Sequence, residues 1–89
     1  MKRTLREVAE FNIKQLVDKP ESIQVKEVNS DGLVVLEFYL DKDDVGKVLG
    51  RKGATIEAIR HLLHCLATRQ KQKVILQIEQ NKSMGVVVE

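Results

Sequence analysis

Few residues in this sequence can form cross-links or large aromatic surfaces. The 89 residues include one cysteine, Cys65, and no tryptophan, and the Phe, Trp and Tyr class is represented by two phenylalanines and one tyrosine. A single thiol excludes an intrachain disulfide framework and a zinc site built from several cysteines. The scarcity of aromatic residues argues against a surface on which several bases stack, as they do on RRM and OB-fold sheets.

The sequence also lacks long hydrophobic runs. Its longest unbroken apolar stretches have four residues or fewer, as in 33–36, which is far too short for a transmembrane helix or a signal-peptide core. We therefore expect a cytoplasmic protein that does not enter membranes. A chain of 89 residues has room for one domain. We predict a single domain at residues 1–80 and a C-terminal tail at 81–89.

Charge is distributed unevenly along the chain, although the net charge is only +2. Residues 1–44 carry 7 Lys/Arg and 10 Asp/Glu, whereas residues 45–89 carry 8 and 3. Within 45–73, seven basic residues stand against Glu57 alone. A basic half on a nearly neutral chain is typical of proteins that bind polyanions, although a solvated helix face would also explain it.

The first half of the chain predicts a helix followed by a hairpin. Apolar residues recur with a helical period over 4–17, and Pro20 ends this helix. The stretch 22–28 and the β-branched and aromatic stretch 33–40 predict two strands. The sequence Asn-Ser-Asp-Gly at 29–32 is a strong turn signal, so the two strands are expected to form an antiparallel hairpin.

The second half predicts two helices and a final strand. Carboxylates from Asp41 onward favour a helix start, and this short helix extends to about residue 49. A longer helix follows at about 53–69, and residues 73–79 alternate as a strand. The apolar stripe of the long helix is Ile56, Ile59, Leu62, Leu63 and Leu66. The order α-β-β-α-α-β predicts a two-layer α+β fold with a three-stranded mixed sheet and all helices on one face.

The segment Gly50-Arg51-Lys52-Gly53 between the two helices carries the most informative chemistry. Two glycines three residues apart make a tight turn whose backbone can approach a ligand closely. The N–H groups and the dipole at the start of the next helix favour a phosphate at the same position, and two basic side chains add positive charge. The pattern predicts a site for a sugar-phosphate backbone, although Gly-x-x-Gly alone could also be an ordinary turn between helices.

The residues around this loop resemble a known family. The segment from Val48 to Ile56 reads V-L-G-R-K-G-A-T-I and resembles the V-I-G-x-x-G-x-x-I signature of KH domains, with Leu49 in place of the usual isoleucine. The element order is similar to that of the type II, bacterial KH fold. Nearly the whole chain resembles the small single-domain bacterial KH proteins of the KhpA type. Two parts depart from that pattern, because no glycine follows the long helix and the tail matches nothing in the family.

The resemblance implies that the protein binds single-stranded RNA in a groove between the loop with its two helices and the edge strand of the sheet. The two glycines would let the RNA backbone approach, and the two basic residues between them would contact phosphates. The apolar residues Val45, Leu49 and Ile56 would face the bases. The full set of candidate RNA-binding residues is Val45, Lys47, Leu49, Gly50, Arg51, Lys52, Gly53, Ala54, Ile56 and Arg60.

The resemblance also implies dimers, either of this chain or with a second KH-domain protein of the Jag type. We therefore expect a post-transcriptional regulator or RNA chaperone that acts as a homodimer or heterodimer. One alternative is a protein-interaction subunit of a Jag-type complex that controls cell elongation or division, with RNA binding secondary. This alternative draws on Phe11, which lies outside the apolar stripe of the first helix, and on the apolar end of the tail.

Other classes of function fit the sequence less well. A DNA-binding helix-turn-helix should begin its recognition helix with base-reading side chains, and the sequence here is Gly53-Ala54-Thr55. His61, His64 and Cys65 have spacings that could bring them to one metal ion, but a fourth ligand and an orienting carboxylate are missing. The sequence therefore predicts no enzyme, no metal or other cofactor, and no small-molecule substrate.

Overall fold

The computed structural model describes residues 4–81, which contain three α-helices and three strands. In chain order these are α1 (Leu5–Lys14), β1 (Gln24–Ser30), β2 (Leu33–Leu40), α2 (Lys42–Leu49), α3 (Ala54–Arg69) and β3 (Lys73–Gln80). The predicted order α-β-β-α-α-β is confirmed. Apart from Asn81, the predicted tail lies outside the described residues. No helix within 4–81 has the length and apolar composition needed to cross a bilayer.

The sheet is mixed, as predicted, with β2 at its centre and the order β1-β2-β3. β1 pairs with β2 antiparallel, and β3 pairs with β2 parallel after the crossover through α2 and α3. The hairpin turn contains only Asp31 and Gly32, whose φ angles of 46° and 79° are both left-handed. β1 therefore extends to Ser30 and includes the first two residues of the predicted four-residue turn. At its other end β1 begins at Gln24 instead of residue 22, because Pro20–Ser22 forms a 3₁₀ turn.

The core lies between the sheet and the helices, which cover one face of it. Every second residue of β2 is buried, as predicted: Val34, Leu36, Phe38 and Leu40. Full burial of a side chain of this size contributes roughly 1.5–3 kcal/mol relative to exposure. The helices cover these residues with a second buried set: Leu5, Ala9 and Ile13 from α1, Val48 from α2, and Ile56, Ile59, Leu63 and Ala67 from α3. The two-layer α+β fold is thus confirmed.

Two details of the helices differ from the prediction. α1 ends at Lys14 instead of residue 17, and Leu16 and Val17 contact the core from the connection that follows it. Leu62, expected in the apolar stripe of α3, is 41% exposed, whereas Ala67 is fully buried. Helical periodicity identifies the buried face only approximately, and the small Ala67 side chain lets α3 pack closely where the pattern does not indicate it.

α3 ends without the glycine that usually follows a helix of this kind. The N–H of Gln72 donates to the carbonyl of Ala67 at 2.8 Å, and the N–H of Lys71 donates to the carbonyl of Thr68 at 3.1 Å. This is the Schellman pattern, which places its C′ residue in the left-handed region. Lys71 occupies that position with a φ of 60°. The cap therefore forms at the expense of backbone strain in a residue that carries a Cβ atom.

We expect the substitution Lys71→Gly to stabilise the fold. Left-handed backbone costs an L-residue about 1–2 kcal/mol, and the greater freedom of glycine in the unfolded chain offsets about 0.4–1 kcal/mol of this. A net gain of about 0.5–1 kcal/mol would raise the melting temperature by roughly 2–8 °C in a domain of this size. Thermal unfolding followed by circular dichroism measures the shift. Lys71→Ala, which removes the charge but keeps the strain, should give no such increase; equal gains in both variants would contradict the explanation.

Candidate nucleic-acid interface

The loop between α2 and α3 turns at Gly50, where no other residue fits. Gly50 ends α2 with φ 77° and ψ 174°, and its N–H donates to the Gly46 carbonyl at 2.9 Å. A Cβ atom at Gly50 would lie 2.9 Å from the backbone nitrogen of Thr55 and still closer to the Thr55 side chain. Because both the backbone angles and the space exclude a side chain, only glycine fits at this turn, where the backbone lies directly against Thr55 of α3.

The second half of the loop is open to solvent. Lys52 and Gly53 both have left-handed backbone, with φ of 54° and 75°. A Cβ atom at Gly53 would meet nothing within 4 Å, so the space beside this glycine is free for a ligand. The N–H of Gly53 donates to the Gly50 carbonyl, but the N–H groups of Arg51 and Lys52 have no acceptor within residues 4–81. These two N–H groups can therefore bind an anion.

Positive charge is concentrated at the tip of this loop. Arg51 and Lys52 are both exposed, and neither forms an ion pair with any residue of the described range. α3 starts directly after them, so the positive end of its dipole lies at the same place. Glu57 in the first turn of α3 is neutralised by Arg60, whose Nη1 lies 2.8 Å from Glu57 Oε2. The loop is therefore an electropositive site with backbone donors.

Apolar residues lie on the two helices beside the loop. Val45 and Leu49 of α2 are half-buried and pack against the edge of the core. Ile56 of α3 is only 3% exposed, so its side chain packs in the core beneath these residues and has little surface that a ligand could contact. Ala54, at the first position of α3, is exposed. The structure thus places the candidate residues of α2, the loop and the start of α3 around one site.

The side chain of Lys47 forms ion pairs with two carboxylates. Its Nζ lies 3.2 Å from Asp18 Oδ2 and 3.5 Å from Asp44 Oδ1, and it donates to the Asp43 carbonyl at 3.1 Å. The hydrogen bond to Asp18, together with attraction to both carboxylates, raises the pKa of Lys47 despite partial desolvation. A contact of Lys47 with RNA stays a prediction, and it would require these ion pairs to loosen.

Asp44 holds the connection after α1 against α2. Its carboxylate is 1% exposed and accepts hydrogen bonds from the N–H groups of Asp18 and Lys19, each at 3.0 Å. These contacts lower the pKa of Asp44, and the hydrogen bond from the Asp18 N–H is the largest cause. The Lys19 N–H and the Lys47 ammonium group also stabilise the charged carboxylate, and together the three outweigh the opposite effect of burial. This buried carboxylate was not identified from sequence, where it reads only as an acidic residue near a helix start.

Arg60 connects α3 to the free edge of the sheet. Its Nε and Nη2 donate to the Leu76 carbonyl at 3.2 and 3.1 Å. The N–H of Lys73 donates to the Gly32 carbonyl, which shows that the odd-numbered residues of β3 direct their backbone groups toward β2. The even-numbered residues direct theirs away from β2, so the Leu76 carbonyl points out of the free edge of the sheet. Between α3 and β3 lies a groove of about 420 Å³, lined by Arg60, Leu63, His64, Val74, Ile75, Leu76 and Gln77. The edge strand thus forms one wall of an open groove.

Sequence reasoning did not identify Thr55 and His64 as site residues. Thr55 matters because it packs on Gly50, and nothing in the local pattern indicates that contact. His64 lines the groove together with residues of β3, which the sequence places at least ten positions away. The Nε2 atom of His61 lies 3.8 Å from Cys65 Sγ, but no group of three potential metal ligands occurs within residues 4–81.

The element order and the basic Gly-x-x-Gly loop between α2 and α3 define a KH domain. Comparison with known proteins agrees with this class, because a family model described as "KhpA/KhpB, KH domain" matches residues 6–78. The chain is 40% identical over 78 residues to the "RNA-binding protein KhpA" of Chlamydia trachomatis, covering 88% of this chain and 100% of the relative. A Clostridium perfringens protein of that name is 36% identical over 74 residues, covering 83% of this chain and 99% of the relative.

The chain therefore belongs to the KhpA/KhpB family of KH domains. The resemblance stated from the sequence is confirmed, as is the type of fold that it implied. This family is not known for enzymatic activity, in agreement with the expectation that the chain is not an enzyme.

Proposed function

We propose that this protein binds single-stranded RNA through the loop Gly50–Gly53. The observation that carries the proposal is the arrangement at the loop tip, where two exposed cations, their two backbone N–H groups without acceptors and the start of α3 are adjacent. Phosphate is the group that such an arrangement binds best. The relatives from Chlamydia trachomatis and Clostridium perfringens are named RNA-binding proteins, which supports RNA as the polyanion.

The arrangement around the loop indicates how an RNA strand would lie. Its sugar-phosphate backbone would contact Arg51 and Lys52, with Gly53 leaving space for close approach. The bases would face Val45 and Leu49, the two apolar side chains beside the loop that are only half-buried. A loop of this kind clamps about four nucleotides. With few aromatic rings in the chain, bases would be held by apolar contact and by hydrogen bonds to their edges, so affinity for one site would be low.

We further propose that the protein acts as a dimer, of this chain or with a second KH-domain protein, in the role of an RNA chaperone or post-transcriptional regulator. Because a single loop would bind RNA weakly, a dimer would bind more tightly: two linked sites can raise avidity ~10²–10⁴-fold. Phe11 is 66% exposed and Leu62 is 41% exposed, so both α1 and α3 offer apolar contacts to a second chain. The same exposed side chains support the alternative role as a protein-interaction subunit with RNA binding secondary.

The dependence of RNA binding on salt tests the proposal. When two loop cations neutralise two phosphates of the RNA, the counterions of those phosphates are released. The logarithm of the association constant should therefore fall by roughly 1.4 for each tenfold rise in salt concentration. The probe is a labelled pool of five-nucleotide RNAs of random sequence, and fluorescence anisotropy measures its affinity between 50 and 500 mM KCl. A DNA pool of the same length is the comparison. Affinity for RNA that does not change with salt, or equal affinity for DNA, would contradict the proposal.

A further inference from the structure

Of the basic side chains at or directly before the loop, one is paired with carboxylates. Arg51 and Lys52 at the loop tip form no ion pair with any residue in 4–81. Lys47 lies in the last turn of α2, three residues before Gly50, and it forms two ion pairs. The side chain that could add a third positive charge to the loop is therefore neutralised within the chain.

The contacts of Lys47 on α2 draw its ammonium group toward the start of that helix. Nζ lies 3.5 Å from Asp44 Oδ1 and donates to the Asp43 carbonyl at 3.1 Å, and both of these residues precede Lys47 on α2. Side chains on a helix tilt toward its N-terminus, so these contacts follow the usual direction of a helical lysine. The loop lies at the other end of α2. The paired ammonium group is thus directed away from the loop.

Asp18 makes the shorter of the two ion pairs and is their exposed partner. Its Oδ2 lies 3.2 Å from Lys47 Nζ, and its side chain is 74% exposed, against 1% for Asp44. The hydrogen bond to Asp18 is also the largest cause of the raised pKa of Lys47. Ion pairs that are this exposed contribute little to stability, so a phosphate group can replace the Asp18 carboxylate.

The connection after α1 is fixed to α2 by contacts that do not involve the Asp18 side chain. The N–H groups of Asp18 and Lys19 donate to the buried Asp44 carboxylate, each at 3.0 Å. Lys19 Nζ lies 3.5 Å from Asp41 Oδ2 and 3.7 Å from Asp43 Oδ2, at the start of α2. These contacts keep the Asp18 carboxylate beside α2 whether or not it is paired.

We propose that Asp18 limits the affinity of the loop for RNA because it holds Lys47 as an internal counter-ion. The inference rests on the proposed function and deepens it, since it specifies which nearby cations RNA can use. In the parent protein, the Asp18 carboxylate and an RNA phosphate compete for the same ammonium group, and the loop binds mainly through its other two cations. Without that carboxylate, the flexible lysine side chain can turn toward the RNA and add a third phosphate contact.

The test removes the charge of Asp18 and leaves its backbone contacts in place. Asp18→Asn keeps the N–H that donates to Asp44. The control Glu21→Gln changes the net charge equally and lies on the same connection, where Glu21 is exposed and forms no ion pair within residues 4–81. Fluorescence anisotropy with the random five-nucleotide RNA pool measures affinity between 50 and 500 mM KCl. Circular dichroism verifies that each variant is folded under these conditions.

We expect Asp18→Asn to bind the pool roughly fivefold more tightly than the parent at 50 mM KCl and about equally at 500 mM KCl. The added phosphate contact should steepen the fall of log K with log salt concentration by roughly 0.7. Lys47→Gln should lower affinity more in the Asp18→Asn background than in the parent, because only there does the lysine contact RNA fully. Glu21→Gln should give neither the gain nor the steeper dependence on salt.

Three results would overturn the inference. If Asp18→Asn binds RNA as the parent does, Asp18 does not limit binding. An equal gain in Glu21→Gln would assign the effect to net charge, and a gain that persists after Lys47→Gln would assign it to direct repulsion between Asp18 and RNA. All three leave the proposed function intact, because that proposal fails only if reversing the charges of Arg51 and Lys52 has no effect on RNA binding.

Discussion

Reversing both charges at the loop tip, with Arg51→Asp and Lys52→Asp, is expected to abolish RNA binding. The two side chains are exposed and have no carboxylate partner within residues 4–81, so the change removes no ion pair from the fold. Two phosphate contacts are lost and replaced by repulsion at the same site. We expect affinity for a 12-nucleotide RNA pool to fall on the order of a hundredfold or more at 50 mM KCl. Fluorescence anisotropy measures this loss.

The matched control reverses two charges elsewhere on the surface. Lys14→Asp with Lys26→Asp gives the same net charge, so it measures how much of the loss comes from general repulsion of RNA. Gly50 and Gly53 are unchanged in both proteins, and the melting temperature of the loop variant should stay close to that of the parent. The control loses a cation from the last turn of α1 and places like charges opposite each other at the Lys26–Glu37 pair, so its RNA binding is measured at a temperature where circular dichroism shows it folded. If the loop variant binds RNA as tightly as the control, RNA does not bind at the loop.

The second large effect is expected at Asp44, where Asp44→Asn should destabilise the fold. The buried carboxylate accepts hydrogen bonds from two backbone N–H groups and lies 3.5 Å from Lys47 Nζ. An asparagine amide can accept with its oxygen only, and its NH₂ group would face a backbone donor. One buried N–H would lose its partner, and Lys47 would lose a charge partner. We expect the melting temperature to fall on the order of 10 °C, measured by circular dichroism.

The same residue should make stability depend on pH in the acid range. The pKa of Asp44 is lowered in the folded protein, so its contribution is complete above the unfolded value of about 4 and is lost as pH falls through the folded value. The parent should lose stability below about pH 4, and Asp44→Asn should lose less over that range. Asp43→Asn is the control, because the Asp43 carboxylate is exposed and makes only a surface ion pair with Lys19 at 3.7 Å, while its backbone carbonyl, unchanged in the variant, bonds Lys47. Identical pH profiles for the parent and Asp44→Asn would exclude this role.

The sequence was sufficient to predict most of the fold because its local signals agree with one another. β2 alternates without exception, the Asp31–Gly32 turn fixes the hairpin, and Asp41 caps α2 as expected, accepting from the Asp43 N–H at 2.9 Å. The glycines at 50 and 53 likewise identify the loop, since each has a left-handed φ. These features depend on neighbours in the chain, and such neighbours can be read from a sequence.

The features that sequence reasoning did not find depend on distant contacts. Lys47, a candidate RNA-binding residue, forms an ion pair with Asp18, 29 residues earlier in the chain, which the sequence did not indicate. The burial of Asp44 depends on the same connection after α1, which no periodic pattern describes. Leu62 is exposed because the packing of α3 against α1 and β3 sets which side of the helix is covered. In each case the residues in contact are far apart in the sequence.

Arg60 has a consequence for how copies of this protein behave when they crowd together. A bare outer strand offers a row of backbone donors and acceptors, along which the same strand of another molecule can attach and start a fibre. Here the guanidinium group covers the Leu76 carbonyl in the middle of that row, at 3.1–3.2 Å. An incoming strand would have to displace a charged group before it could align. Arg60 therefore hinders attachment through β3, one of the two edge strands of the sheet, when the local concentration of the protein is high.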